Sequence, residues 1–141
     1  MLGKAIAITT ATMLAGAAIA QERTPAPEDA FVYFINLKDG DVVESPLHMQ
    51  FGARNIGVAP AGVERENTGH HHLVVDKEMT DEALSMPLPS SDTHIHFGGG
   101  QTEATIELPP GTHTLQLVMA DWQHIPHDPP VTSARITVTV E

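Results

Sequence analysis

Residues 108–121 read LPPGTHTLQLVMAD and carry the two signals that decide the fold. The Pro-Pro-Gly run predicts a tight turn. After the turn, apolar and other side chains alternate: Leu115, Leu117 and Met119 share one parity, and Thr114, Gln116 and Val118 share the other. This period of two is typical of a β-strand with one buried face. The stretch therefore predicts a turn followed by a half-buried strand.

The same alternation recurs on both sides of this stretch, at residues 47–52 and 135–140. Gly- and Pro-rich turn signals at 38–41, 97–101 and 127–130 separate the apolar runs. Strands are predicted at about 31–36, 46–53, 70–76, 93–97, 102–108, 113–120 and 133–140. Residues 76–85 are the one helical candidate. We therefore predict an all-β fold, an immunoglobulin-like antiparallel β-sandwich of about seven strands.

The first twenty residues have the pattern of a cleavable signal peptide. Lys4 precedes a run of small and apolar residues over 5–19, and Ala18-Ile19-Ala20 forms a cleavage site. We predict a signal peptide at 1–20, a flexible linker at 21–30 and the sandwich domain at 31–141. No later segment has the ~20 apolar residues of a membrane span. The expected location is periplasmic or secreted.

The composition limits which partners and ligands the chain can have. The formal net charge is −11 at pH 7, so an acidic surface is expected to repel nucleic acid and attract cations. There are no cysteines but nine histidines. Any metal site must therefore be built from His, Asp, Glu or Met.

Seven of the nine histidines are expected at one end of the predicted sandwich, where alternate loops gather. They are His70, His71, His72, His94, His96, His124 and His127. By strand parity, His71 faces the core with Leu73, whereas His70 and His72 face the other way. His48 and His113 lie toward the opposite end.

The predicted ligands for Cu(II) or Zn(II) are the six histidines of this group other than His71, namely His70, His72, His94, His96, His124 and His127. Asp121 or Asp128 could complete the site or orient a ring. The alternative is a polar rim of loops that binds no ion. For His48 and His113, a structural or solvated role is expected.

Five ordered motifs resemble those of a known family of small exported bacterial domains, described as a domain of unknown function. They are VAPAG (58–62), NTGHHHLVVD (67–76), HFGGGQTE (96–103), LPPGTHTLQL (108–117) and HIPHDPPV (124–131). The resemblance covers nearly all of the predicted domain. It implies a compact periplasmic β domain but no activity, so the functional hypothesis depends on the histidines.

Three functions are consistent with these patterns. The first is a periplasmic metal-binding protein, a carrier or buffer for Cu(II) or Zn(II), with a periplasmic delivery partner. The second is a non-catalytic envelope module that binds protein or glycan. The third is a copper redox enzyme similar to superoxide dismutase, but the chain has no cysteine pair. A non-enzymatic role is therefore favoured, and the oligomeric state is left open.

Overall fold

The computed structural model describes residues 21–141, so the predicted signal peptide lies outside the described residues. Within this range the chain forms nine β-strands and a 3-10 turn at Ala83–Ser85. The strands are β1 (Phe31–Phe34), β2 (Val42–Val43), β3 (Leu47–Arg54), β4 (Gly57–Val58), β5 (Thr68–Val75), β6 (His94–His96), β7 (Glu103–Ile106), β8 (Gly111–Ala120) and β9 (Ile136–Val140). The predicted all-β fold is confirmed.

The strands form two sheets. The smaller has the order β1-β3-β7, and both of its pairings are antiparallel. The larger has the order β2-β9-β8-β5-β4, and β6 also pairs with β5. Its central pairings β5–β8, β8–β9 and β5–β6 are antiparallel. This sandwich-like arrangement agrees with the fold predicted from the alternating pattern.

The main core lies between the two sheets. Leu115, Leu117 and Met119 of β8 are fully buried there with Leu73 of β5 and Met49 of β3. Because neighbouring residues of a strand point to opposite faces, this set leaves Val74, Val118 and Ala120 on the other side of the larger sheet. We call that side the outer face.

The outer face is covered by chain. Val74, Val118 and Ala120 form a second, smaller core with Leu88, and Met79 and Leu84 pack against it. These last three residues belong to the connection between β5 and β6, which we call the covering segment (residues 77–92). As a result β5 is buried on both faces from residue 69 to residue 75.

Two features of the larger sheet were not predicted. The short strands β2 and β4 pair in parallel with β9 and β5. Each has two residues, which is too short to show a period.

The helical candidate at 76–85 is helical only in the Ala83–Ser85 turn. In the described part of the chain, no helix has the length and apolar character needed to cross a membrane.

Residues 23–26, which we call the N-terminal strap, lie within the predicted linker and run beside residues 126–128. The Ala26 amide donates to the Asp128 carbonyl at 2.9 Å, and the Asp128 amide donates to the Thr24 carbonyl at 2.9 Å. Pro25 and Asp128 form an isolated parallel bridge. The strap is thus hydrogen-bonded to the loop that follows β8.

Candidate metal centre

The register of β5 with its neighbours places three histidines on the outer face. His72 lies opposite His96 in the antiparallel pairing of β5 with β6. Residues paired in this way project from the same face, as do residues two apart in one strand. His70, His72 and His96 therefore share the outer face, as strand parity predicts for His70 and His72.

A fourth histidine reaches this face from the loop after β8. Asp121 organises that loop, because its Oδ1 accepts the amide protons of Gln123 at 2.9 Å and Ile125 at 3.0 Å. The His124 amide donates to the Asp121 carbonyl at 2.9 Å. His124 itself has a φ of 68°, in the left-handed region. The tight turn directs the His124 ring back toward the sheet.

The covering segment holds the same loop from the other side. The Leu88 amide donates to the His124 carbonyl at 2.8 Å. Leu88 is itself buried against Val74, Val118 and Ala120. His124 is therefore attached to the apolar cover of the outer face through its own backbone.

These four side chains, His70, His72, His96 and His124, form what we call the histidine cluster. Ring-centroid distances run from 4.5 Å between His96 and His124 to 6.0 Å between His72 and His124. His70 is within 5.1 Å of each of the other three. All four rings are thus in mutual contact.

The cluster brings ring nitrogens to distances suited to a metal ion. His70, His96 and His124 each offer one nitrogen, and these three atoms lie within 4.8 Å of one another. The nitrogens of a tetrahedral zinc site are roughly 3.3 Å apart, given Zn–N bonds of about 2.0–2.1 Å. Small side-chain rotations would close the difference. His72 stands directly behind, with its Nε2 2.9 Å from His70 Nε2.

Burial keeps the inner rings neutral. His70 and His72 are 0% and 1% exposed, whereas His96 and His124 are partly exposed. Burial, followed by the neighbouring rings of His96 and His124, lowers the pKa of His70 to about 4, and the carboxylate of Asp121 opposes this shift. Burial and then His70 lower the pKa of His72 to about 2. The neutral form is the one that binds metal.

Several nitrogens of the cluster have no hydrogen-bond partner within residues 21–141. They are His70 Nδ1, His72 Nδ1 and His96 Nε2, all of which are buried. Buried polar atoms without partners are uncommon in folded proteins, and a bound ion is one recognised explanation. The orphaned nitrogens therefore fit a metal as their missing partner.

Gly98 makes room for the His96 ring. A Cβ atom added at Gly98 would lie 2.6 Å from His96 Nε2, which is closer than real Cβ contacts come. At Gly99 the nearest atoms would belong only to the flexible side chain of Gln101, at 3.1 Å or more. Gly98 is thus the member of the triple-glycine turn against which the His96 ring packs.

Two of the six predicted ligands lie outside the cluster. His94 is partly exposed, and its Nδ1 is 3.2 Å from Thr93 Oγ1. Burial, followed by the charge of Lys77, lowers the pKa of His94. His127 is buried, and its Nε2 donates to the Thr68 carbonyl at 3.1 Å. The His127 ring therefore contacts the start of β5 through a hydrogen bond to a backbone carbonyl.

The three remaining histidines occupy separate environments. His71 faces the main core, with its ring centroid 5.3 Å from that of Phe51, and burial lowers its pKa to about 4. His48 is exposed on the smaller sheet, 3.3 Å from Glu103. His113 Nδ1 is 2.8 Å from Asp76 Oδ2, and this hydrogen bond raises the pKa of His113.

The two aspartates considered as helpers have different positions. Asp121 is buried and holds the His124 loop through its carboxylate, which is an orienting role. Asp128 is exposed and lies 3.6 Å from Arg23.

The covering segment and the role of Gly98 are not predicted from the sequence. Apolar Met79, Leu84 and Leu88 within a turn-rich stretch are the signal that could have indicated a cover.

Comparison with known protein families gives a match for most of the described chain. Residues 49–141 match the model of the family described as Domain of unknown function (DUF4399). The match includes all four residues of the histidine cluster, and it confirms the resemblance seen in the motifs. Neither the curated proteins nor the solved structures contain a match.

Proposed function

The chain belongs to the DUF4399 family, whose description assigns no activity, and we propose from the histidine cluster that it is a metal-binding protein. In this proposal it is a carrier or buffer for Cu(II) or Zn(II) in the periplasm. The observation that carries the proposal is the convergence of ring nitrogens from His70, His96 and His124 within 4.8 Å.

The chemistry of the donor set supports these two ions. Imidazole nitrogen suits Cu(II) and Zn(II), and the chain has no cysteine thiolate, the ligand that favours softer ions such as Cu(I). His70, His96 and His124 would hold the ion. His72 would act as a fourth ligand or would orient His70 through the 2.9 Å contact between their Nε2 atoms.

Electrostatics support a cation at this position. The formal net charge of the chain is −11, which raises the local concentration of cations around the protein. Within the cluster, the lowered pKa of His70 and His72 leaves both rings uncharged at neutral pH. An incoming ion therefore meets lone pairs and no like charge on these two rings.

The partial exposure of His96 and His124 supports a role in exchange. These two rings lie at the surface of the cluster, while His70 and His72 are buried behind them. An ion held in this way can be approached from one side by a competing ligand. This arrangement fits a carrier or buffer, which must release its ion as well as bind it.

Metal analysis of the isolated protein tests the proposal. The protein is purified without a nickel column, and bound Cu and Zn are measured per chain before and after titration against a competing chelator. We expect about one ion per chain, with an affinity higher than that of exposed histidines that form no defined site. A protein that takes up neither ion, or takes up several weakly, would contradict the proposal.

A second candidate, an envelope module that binds protein or glycan, is favoured by one observation. Phe31, Tyr33 and Ile35 alternate along β1 and its continuation and are 40%, 38% and 57% exposed. Exposed apolar stripes of this kind mark interaction surfaces. A metal-free protein that binds envelope material through this stripe, and loses binding with Ile35→Ser, would support the second function.

A further inference from the structure

The N-terminal strap is bound to both ends of the loop that carries His124. On the side before His124, Thr24 Oγ1 donates to Asp121 Oδ2 at 2.7 Å. On the side after it, the Arg23 guanidinium donates to the carbonyl oxygens of Pro126, at 3.2 Å, and of His127. The loop is therefore attached to a segment about a hundred positions earlier in the sequence.

Of these contacts, the one between Thr24 and Asp121 affects the conformation of the turn that contains His124. Asp121 Oδ1 caps the turn by accepting from Gln123 and Ile125, and its Oδ2 is held by Thr24. A carboxylate fixed at both oxygens keeps one orientation. Because His124 lies in the left-handed region between the two capped amides, Asp121 fixes the backbone from which the His124 ring projects.

His124 differs from the rest of the cluster in its support. His70, His72 and His96 stand on paired strands, whose register fixes their spacing. His124 depends on the loop and its tethers, namely the strap on one side and Leu88 on the other. A change in the strap should therefore displace one ring and leave the other three in place.

We infer that the N-terminal strap is a positioning element of the metal centre, and that Thr24 acts through Asp121 to set His124 against His96. This inference rests on the proposed metal-binding function. Without the strap, His70, His72 and His96 keep their positions on the strands, but the His124 ring is no longer held in place. Arg23 supports the same loop by donating to backbone carbonyls. Thr24 instead contacts the Asp121 carboxylate, and its hydroxyl is required for that hydrogen bond.

Three variants of the full chain test the role of Thr24. Thr24→Val keeps the shape but removes the hydroxyl, whereas Thr24→Ser keeps the hydroxyl. Thr105→Val makes the same chemical change at an exposed position on the smaller sheet. We expect Zn(II) or Cu(II) affinity to fall about tenfold in Thr24→Val, in the range of changes that orient ligands. It should recover in Thr24→Ser and stay unchanged in Thr105→Val.

A double-substitution experiment separates positioning from general stability. If Thr24 acts only through His124, then Thr24→Val should cause no further loss of affinity in a His124→Ala background. The Cu(II) spectrum of Thr24→Val should also resemble that of His124→Ala. Independent, additive losses would overturn the inference, as would a Thr24→Val protein with unchanged affinity.

Amide hydrogen exchange of the metal-free protein provides a readout that needs no ion. We expect the Gln123, His124 and Ile125 amides to exchange faster in Thr24→Val than in Thr24→Ser or Thr105→Val, while β5 amides stay protected. Equal exchange in all three variants would overturn the positioning role. If these amides respond but the unmodified protein binds no ion, the proposed function fails while the strap's effect on the loop stands.

Discussion

His72 and His96 lie directly opposite each other across the pairing of β5 with β6, and their ring centroids are 4.9 Å apart. Their spacing is therefore a property of strand register, which is maintained along the whole pair. A ring on a regular strand can be removed with little effect on the backbone around it. This makes His96, which is partly exposed, the most informative member of the cluster to substitute.

Replacing His96 with Ala is expected to weaken Zn(II) or Cu(II) binding by about tenfold or more, a loss of ~1.4 kcal/mol. The matched control is His94→Ala, on the same strand and the same face but outside the cluster. Affinity in the control should stay within about twofold of the unmodified protein. Competitive chelator titration measures both. Equal losses in the two variants would show that ions bind diffusely to the histidine-rich surface.

Gly98→Ala should impair the site without touching a ligand. The new Cβ would come within 2.6 Å of His96 Nε2, so the ring must shift from the position that it holds in the cluster. We expect an affinity loss of about tenfold, similar to that of other changes that disturb ligand orientation. Gly99→Ala is the control, since only the movable Gln101 side chain opposes it. The same titration applies, and an unaffected Gly98→Ala protein would contradict this packing.

Stability of the metal-free protein should fall as the solution is acidified. Burial lowers the pKa of His71 to about 4, whereas an unfolded histidine titrates near ~6.5. Between these values the unfolded chain binds a proton that the folded chain does not, so the free energy of unfolding decreases by about 1.4 kcal/mol per pH unit for each such residue. His70 and His72 act in the same direction.

His71→Leu isolates one of these contributions. The leucine would pack against Phe51 and remove two ring nitrogens that have no hydrogen-bond partner among the described residues. We expect a shallower pH dependence in urea unfolding between about pH 7 and pH 5, with stability at neutral pH retained or increased. An unchanged slope would mean that His71 is protonated in the folded state.

His113 should show the opposite pH dependence. Its hydrogen bond to Asp76 raises its pKa, so its stabilising effect is complete below ~6.5 and is lost as the pH rises through the folded-state pKa. His113→Ala should therefore lower the free energy of unfolding by about 1–3 kcal/mol near pH 5.5 and by less near pH 9. Denaturant titrations at the two pH values measure this, and ion affinity should not change.

The fold could be predicted from the sequence because most of its strands have one buried face. In β8, Leu115, Leu117 and Met119 point into the main core, and their alternation is visible in the letters alone. β5 carries no such alternation, since the covering segment buries its second face too. Its apolar run is what predicts a strand there. β2 and β4 are set by pairing alone.

The candidate site was predictable to the extent that parity and topology determine it. Parity separates His71 from His70 and His72, and the structure has them on opposite faces. Distances within the group were beyond sequence reasoning. The left-handed backbone at His124 and its capping by Asp121 depend on side-chain contacts, and so does the hydrogen bond from the His127 ring to the Thr68 carbonyl. Composition and residue spacing give no information about these contacts.

Because the cluster comes from β5, β6 and the loop after β8, an ion bound as proposed would have a second effect, which is to cross-link the chain. His70, His96 and His124 come from three separated stretches, and the chain has no cysteine with which to join them covalently. An ion that binds only the folded chain stabilises it by mass action, whereas a disulfide acts by restricting the unfolded chain. At a free-ion concentration about 100 times Kd, the folded form gains about 2.7 kcal/mol. Metal supply would then govern how long the protein resists proteolysis.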